Sequence, residues 1–273
     1  MFRIYGNCVT AAAVAGDLSR HEAMSNAQGE VARRLGYADG VRWMTALRIA
    51  DQFKAGDWDE TLRGADQFIG ATEASPHFME MLCRWTRSQV RIGRGDVPGG
   101  LADASACEQL SGANNMPTGS FEARMLIDGG CRLEAEAVID RFLAEASPSW
   151  VANTDFCLDT AIVLAELGRG ADFFAAIADA SDSNSKLDAA RDVASGAFAA
   201  AIDRLEAIGE HVDTARVELL AAERLAAEGA SREALHFCEA ALAFYRRVSA
   251  VVYVRRAETL AAALARESAR SPT

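Results

Sequence analysis

A glycine that recurs at intervals of about one helical hairpin limits what this chain can fold into. Each copy lies between two alanine-rich amphipathic stretches, at Gly16, Gly56, Gly95, Gly130, Gly168, Gly196 and Gly229. Subtracting each of these numbers from the next gives intervals of 40, 39, 35, 38, 28 and 33 residues. Internal periods of this size are typical of stacked helical hairpins. The spacing therefore predicts an all-α fold, a right-handed α-solenoid of about seven hairpins plus a C-terminal helix.

The residues around each glycine predict where one helix ends and the next begins. Glycine adopts the left-handed conformation that closes a helix at no steric cost. Around Gly56, apolar residues recur at spacings of three and four from Val41 to Lys54 and from Trp58 to Thr72, which is helical periodicity. The same reading predicts the helix pairs 2–15 with 18–35, 77–93 with 97–111, 118–129 with 132–146, 149–167 with 170–180, 186–195 with 197–209 and 212–228 with 231–247, and a closing helix near 250–267.

The composition fits one continuous array better than several globular domains. Half of the 273 residues are hydrophobic but only 7% are aromatic, which suits many thin helix–helix contacts. The segments Ser111–Ser120, Ala146–Ser149 and Ser181–Ser185 indicate loops, and none is long enough for a domain linker. We expect one domain over residues 1–273, with longer, degenerate repeats in 1–180 and more regular repeats in 181–273.

The net charge of the chain indicates which kind of partner it binds, and its cysteines indicate the cellular compartment. With 39 acidic and 28 basic side chains the net charge is −11, which argues against direct binding to nucleic acid. No apolar run approaches the length that spans a bilayer, and no signal peptide is evident. Six scattered cysteines without a Cys-x-x-Cys pair read as small buried groups in a reducing cytoplasm. The chain is expected to be cytoplasmic, with no membrane contact.

Patterns that would indicate catalysis or a cofactor are missing from the sequence. There is no P-loop, and the segment 93–99 has Pro98 where a dinucleotide fingerprint needs its third glycine. None of the four histidines lies four residues from another, so the helical zinc motif does not occur. We therefore predict a non-enzymatic protein, with no catalytic residues, cofactor or metal.

The turn glycines also fix the positions of small residues in the flanking helices. With Gly229 as the turn glycine of a 34-residue tetratricopeptide repeat (TPR), the three small positions fall on Ala222, Ala234 and Ala241. The same setting around Gly196 gives Ala189, Ala201 and Ile208, and around Gly56 it gives Ile49, Thr61 and Phe68. The C-terminal hairpins thus resemble TPR hairpins, and the N-terminal ones are more degenerate.

The resemblance extends to longer sequence segments. Residues 55–62, 189–198, 241–248 and 253–258 are similar to the C-terminal TPR-like region of large bacterial regulators, in which a nucleotide cyclase or LuxR-type DNA-binding domain accompanies an ATPase module. That resemblance implies a scaffold in bacterial signalling or transcriptional regulation. The cyclase carboxylates, the P-loop and the helix-turn-helix of those regulators have no counterpart here.

In such arrays the first helix of each hairpin lines the concave groove in which a protein or peptide partner binds. The candidate groove residues have polar or aromatic tips on predicted first helices: Arg42, Trp43, Arg48, Gln52, Arg84, Trp85 and Gln89. The alternative is a sensor that binds a small effector in the superhelix groove. A helical toroid enzyme is a third possibility, which the spacing of acidic residues does not support.

The beginning of the chain adds a further expectation about partners. A free-standing array normally begins with a polar capping helix. Here the first hairpin begins directly at residues 2–5, which are mainly apolar. This predicts either attachment to upstream regulator domains or self-association.

Overall fold

The computed structural model describes residues 2–14, 17–75, 77–112, 117–153, 156–180 and 184–270. All regular elements in these ranges are helices, and no strand occurs among them. They are α1 Phe2–Val14, α2 Leu18–Arg34, α3 Ala38–Ala55, α4 Trp58–Thr72, α5 Glu80–Gly93, α6 Val97–Gly112, α7 Gly119–Asp128, α8 Arg132–Glu145, α9 Pro148–Val151, α10 Cys157–Leu167, α11 Gly170–Ala176, α12 Ser185–Ser195, α13 Phe198–Ala207, α14 His211–Ala227, α15 Ser231–Arg247 and α16 Val251–Arg270.

The glycine turns are confirmed at six of the seven expected positions, and Gly16 lies outside the described residues. The six glycines all have φ between 79° and 94°. At Gly56, φ is 88°, its N–H donates to the Phe53 carbonyl, and the next N–H, that of Asp57, donates to the Gln52 carbonyl. These two bonds satisfy carbonyls that the end of α3 leaves without helical partners. The chain then reverses into α4, as the glycine spacing predicts.

The fifth predicted hairpin differs from the structure because its first helix is interrupted. We expected one helix over 149–167, whereas α9 ends at Val151 and α10 begins at Cys157. The Trp150 indole N–H donates to the Pro117 carbonyl at 2.8 Å, which holds the short α9 against the preceding loop. The Asn153 carbonyl accepts hydrogen bonds from the N–H groups of Phe156 and Cys157, so a turn separates the two helices.

The start of α5 also differs from the expectation. We placed it at residue 77, but the helix begins at Glu80. His77 Nδ1 accepts a hydrogen bond from the Met79 N–H at 3.1 Å. This side-chain bond competes with helical pairing in that turn, which explains the later start.

Helices that follow one another in the chain pack together, and two pairs also join distant parts of it. Helix α14 contacts α3, and α16 contacts α5. In the core between them, Phe53, Trp58 and Val90 of the N-terminal half pack with residues of α14–α16, including Leu219, Tyr245 and Tyr253. The C-terminal helices therefore cover the inner side of α3–α5.

A second apolar core fills the middle of the chain. It extends from α7 to α14, and its fully buried members include Ile162, Phe173, Leu187 and Leu205. Burying an apolar side chain of this size contributes about 1.5–3 kcal/mol to folding. Among the described residues, none of the helices combines the length and apolar character needed to cross a membrane.

Candidate functional site

Six charged side chains meet in the interior where α7, α10 and α14 converge, and we call them the central charge network. The members are Arg124 and Asp128 of α7, Asp159 and Glu166 of α10, and Asp213 and Arg216 of α14. Their side chains are all at most 12% exposed. Charged groups are rarely buried to this degree unless they are paired.

Arg124 is the first of the two cations that organise the network. Its Nη1 donates to Asp159 of α10 and, at 2.8 Å, to Oδ1 of Asp213 of α14. Residues 124, 159 and 213 are far apart in sequence, so this one guanidinium ties three hairpins together.

Arg216 is the second cation and forms the same kind of bridge. Its Nη2 lies 2.5 Å from Oδ1 of Asp128 and also forms an ion pair with Glu166. The Tyr253 hydroxyl donates to the other Asp128 oxygen at 2.8 Å, and the Arg216 guanidinium lies 5.6 Å from the centre of the Tyr253 ring. Helix α16 is thereby joined to α7 and α14.

Burial and ion pairing shift the pKa values of these groups in opposite directions. Burial raises the pKa of Asp159 to about 6, with the Arg124 charge opposing this rise and Asp213 adding to it. Burial alone lowers the pKa of Arg216, but Asp128 and Glu166 outweigh it and the net shift is upward. The pKa values of Arg124 and Arg216 are both raised, so both stay charged, and their ion pairs join α7, α10 and α14.

Three of the predicted groove residues lie on α5 and are buried or half-buried. Gln89 is 4% exposed, and Trp85 is half-buried between the rings of Phe53 and Phe121. Arg84 is held by Glu80 at 2.7 Å and Asp103 at 3.3 Å. These three side chains pack or pair with other residues of the fold and do not form an open surface.

The other four predicted residues lie on α3 and are more accessible. Arg42 and Arg48 are exposed, Gln52 is half-buried, and Trp43 is 38% exposed. Arg42 has a 3.5 Å contact with Asp39. Residues 41, 45, 48 and 52 recur at helical spacing, so they share one side of α3 that we call the α3 face.

The sequence reading missed the neighbour that makes Trp43 distinctive. Phe78, in the turn before α5, stacks on the Trp43 ring with centroids 6.0 Å apart and planes 20° apart. Phe78 is 36% exposed, so the two rings form an accessible aromatic pair. Phe78 lies at the expected start of a first helix, and its pairing with Trp43 depends on how α3 meets α5.

Two cavities in the described part of the chain are further candidates for binding surfaces. An interior cavity of about 10 Å³ is lined by Trp58, Gln89, Arg124, Val212, Arg216, Tyr245 and Tyr253. A wide, open cleft of about 480 Å³ is lined by Glu223, Arg255, Arg256, Thr259, Leu260 and Ala263. Within the described ranges no group of three or more His, Cys, Asp or Glu side chains is arranged to hold a metal ion.

No family model, no curated protein and no solved structure matches this chain.

Proposed function

We propose that the chain is a non-enzymatic, TPR-like right-handed solenoid that binds a protein partner in bacterial signalling or transcriptional regulation. The observation that carries the proposal is the accessible aromatic pair, Trp43 with Phe78. Tryptophan and arginine are enriched among the residues that dominate protein–protein binding energy. Trp43 and Arg48 are both exposed on α3, on different sides of the helix, and Trp43 is the one that pairs with Phe78.

The closed interior favours this part of the chain over the rest of the predicted groove. Gln89 and Trp85 pack within the fold, so a partner would have to displace α14 or α16 to reach them. The α3 face and the aromatic pair need no such rearrangement. We therefore place the docking surface at the aromatic pair of Trp43 and Phe78.

A small-molecule effector in the superhelix groove is the alternative function, and the cavity sizes bear on it. Pockets for small molecules have volumes of about 300–1,000 Å³. The interior cavity, at about 10 Å³, is far below that range. The cleft of about 480 Å³ is large enough but widely open. A thermal shift produced by a metabolite and abolished by Arg255→Ala would favour the effector.

Site-specific photo-crosslinking tests the proposed docking surface. A photoreactive phenylalanine analogue is placed at Trp43 in cells of the source organism, and adducts are identified by mass spectrometry. The matched control places it at Phe174 of α11, which is 41% exposed. We expect one defined protein adduct at position 43 that is absent at 174 and is weakened by Phe78→Ala, which removes the other ring of the pair. The same adducts at both positions, or none at 43, would contradict the proposal.

A further inference from the structure

The interior cavity is surrounded by hydrogen-bond donors that lack a protein acceptor. Of the nine buried polar side-chain atoms without a hydrogen-bond partner in the described part of the chain, five belong to residues that line it. They are Trp58 Nε1, Gln89 Nε2, Arg124 Nε, Arg216 Nε and Arg216 Nη1. All five are nitrogen donors.

These residues are buried too deeply for bulk water to satisfy them. Trp58 and Arg216 are each 2% exposed, Arg124 is 3% exposed and Gln89 is 4% exposed. A buried donor without an acceptor is costly, and native interiors contain few of them. Several such donors around one cavity call for an acceptor inside it.

The carboxylates of the central charge network leave these donors without a hydrogen bond, and Glu166 Oε1, which lies against Arg216 Nη2, is itself a buried acceptor without a hydrogen-bond partner. Asp159 and Asp213 take Arg124 Nη1, and Asp128 and Glu166 lie on Arg216 Nη2. The Nε atoms of both arginines and Nη1 of Arg216 are left over. The remaining lining residues are Val212, Tyr245 and Tyr253, and the Tyr253 hydroxyl already donates its proton to Asp128.

We propose that this cavity is a binding site for one water-sized hydrogen-bond acceptor. The volume of about 10 Å³ admits about one such species. Lone pairs without a bulky substituent are the required chemistry, and a water molecule or a chloride ion supplies them. The bound species connects Trp58 and Gln89 of the N-terminal half to Arg216 of α14, where the two halves of the chain meet.

The first arm of the test locates the species. Crystals of the full chain grown in sodium bromide are measured at the bromine absorption edge, and a second data set is collected without halide. An anomalous peak between Gln89 and Arg216 identifies a halide site, whereas a water peak there in both data sets identifies water. Either result supports the proposal, and a cavity without density in both data sets overturns it.

The second arm uses stability in solution and does not depend on crystals. Gln89→Leu removes a donor and keeps most of the volume. If the donor is bound to the acceptor, we expect the melting temperature to fall by about 2–4 °C. In the chloride case, replacing gluconate by chloride at constant ionic strength raises the melting temperature of the wild type more than that of the variant.

Ser120→Ala is the matched control, since Ser120 Oγ is also buried without a partner but does not line the cavity. Its melting temperature should equal or exceed that of the wild type, because an unpaired hydroxyl is removed. If Gln89→Leu is stabilised in the same way, the donor is unpaired and the proposal is wrong.

Discussion

The Tyr253 hydroxyl of α16 donates a hydrogen bond of 2.8 Å to Asp128 of α7, which lies 125 residues earlier in the chain. Both groups are buried, and the second Asp128 oxygen is paired with Arg216. This contact ties the closing helix to the central charge network. It is therefore a direct probe of how strongly the C-terminal helices are held.

Removing the Tyr253 hydroxyl should weaken the fold without altering its shape. Tyr253→Phe leaves one oxygen of a buried carboxylate unpaired, and we expect a loss of about 1–3 kcal/mol in the free energy of unfolding. Urea unfolding followed by circular dichroism measures the loss. Tyr37→Phe, at a ring that is 46% exposed, is the control and should change stability by less than about 0.5 kcal/mol. Equal effects of the two changes would contradict the importance of the buried bond.

Arg216 should be far more important for stability than an arginine in a surface pair. Arg216→Leu leaves Asp128 and Glu166 buried without their cation, and breaking such a pair costs about 3–5 kcal/mol. Arg246→Leu removes an exposed pair with Glu258, for which we expect about 0–1 kcal/mol. Chemical denaturation of both variants gives the comparison. A small loss for Arg216→Leu would show that the network is not held as described.

Glu218 should make the protein less stable as the pH rises through neutrality. Burial, with a smaller contribution from the nearby Glu206, raises the pKa of Glu218 to about 7. The folded state therefore binds a proton that the unfolded state has released, and stability falls between about pH 4.5 and 7. Glu218→Gln should remove this slope and stabilise the protein at pH 8 by at least about 1 kcal/mol. Unfolding free energies measured from pH 5 to 8 test this, and an unchanged slope in the variant would refute it.

Glu210, unlike Glu218, should make the protein less stable as the pH falls. Burial alone would raise its pKa, but Lys186 at 3.1 Å and Lys54 at 2.9 Å lower it to about 2. The stabilisation is present above about pH 4.5, the unfolded value, and is lost as the pH falls towards 2. Lys186→Met should raise the pKa of Glu210, which carboxyl NMR measures directly, and should move acid unfolding to higher pH. Arg191→Met, which removes a surface pair with Asp188, serves as the control.

Ser249 occupies a backbone conformation that glycine adopts more easily. Its φ is 58°, whereas the other positive φ values in the described residues all belong to glycines. Ser249→Gly should stabilise the turn between α15 and α16 by about 1 kcal/mol, because the steric cost of a Cβ in that conformation is removed. Gly229→Ser, at φ 80°, should have the opposite effect. Thermal unfolding of the two variants checks both signs.

The sequence predicted the local part of this fold because turns and helix faces depend on neighbouring residues. The glycines at 56, 95, 130, 168, 196 and 229 end helices as expected. Eight of the nine small positions assigned from the turn glycines are also buried, including the degenerate ones at Ile49, Thr61 and Phe68, and the ninth, Ile208, is half-buried. Large residues there fill space that alanine leaves in the later hairpins.

The central charge network could not be predicted in the same way. Arg124 with Asp128 and Asp213 with Arg216 have the spacings of ordinary surface ion pairs on a helix. Their true partners lie on other hairpins, so only the arrangement of helices shows that they are buried. Two arginines near the end of the chain show the same limit of the sequence. Arg246 forms an exposed pair with Glu258, whereas Arg256 pairs with Glu223 and Glu166 of other helices.

The seven predicted groove residues differ in exposure between α3 and α5, and periodicity could not show this difference. Residues of α3 and α5 have equivalent places in the repeat pattern, and periodicity treats them alike. In the structure Gln89 is buried beside residues of α14, α15 and α16, while Arg48 is exposed. The pairing of Trp43 with Phe78 was not visible for the same reason. Whether the seven predicted groove residues bind a partner stays a prediction.

The contacts of α14 with α3 and of α16 with α5 change how the chain should lose its structure on heating. An open row of hairpins frays from its two ends, since every unit depends on its immediate neighbours alone. Here the last helices are anchored to the second and third hairpins, so peeling away either part exposes the aromatic core around Trp58. Melting should consequently be concerted between those two parts, with no stable species that has shed its final hairpin.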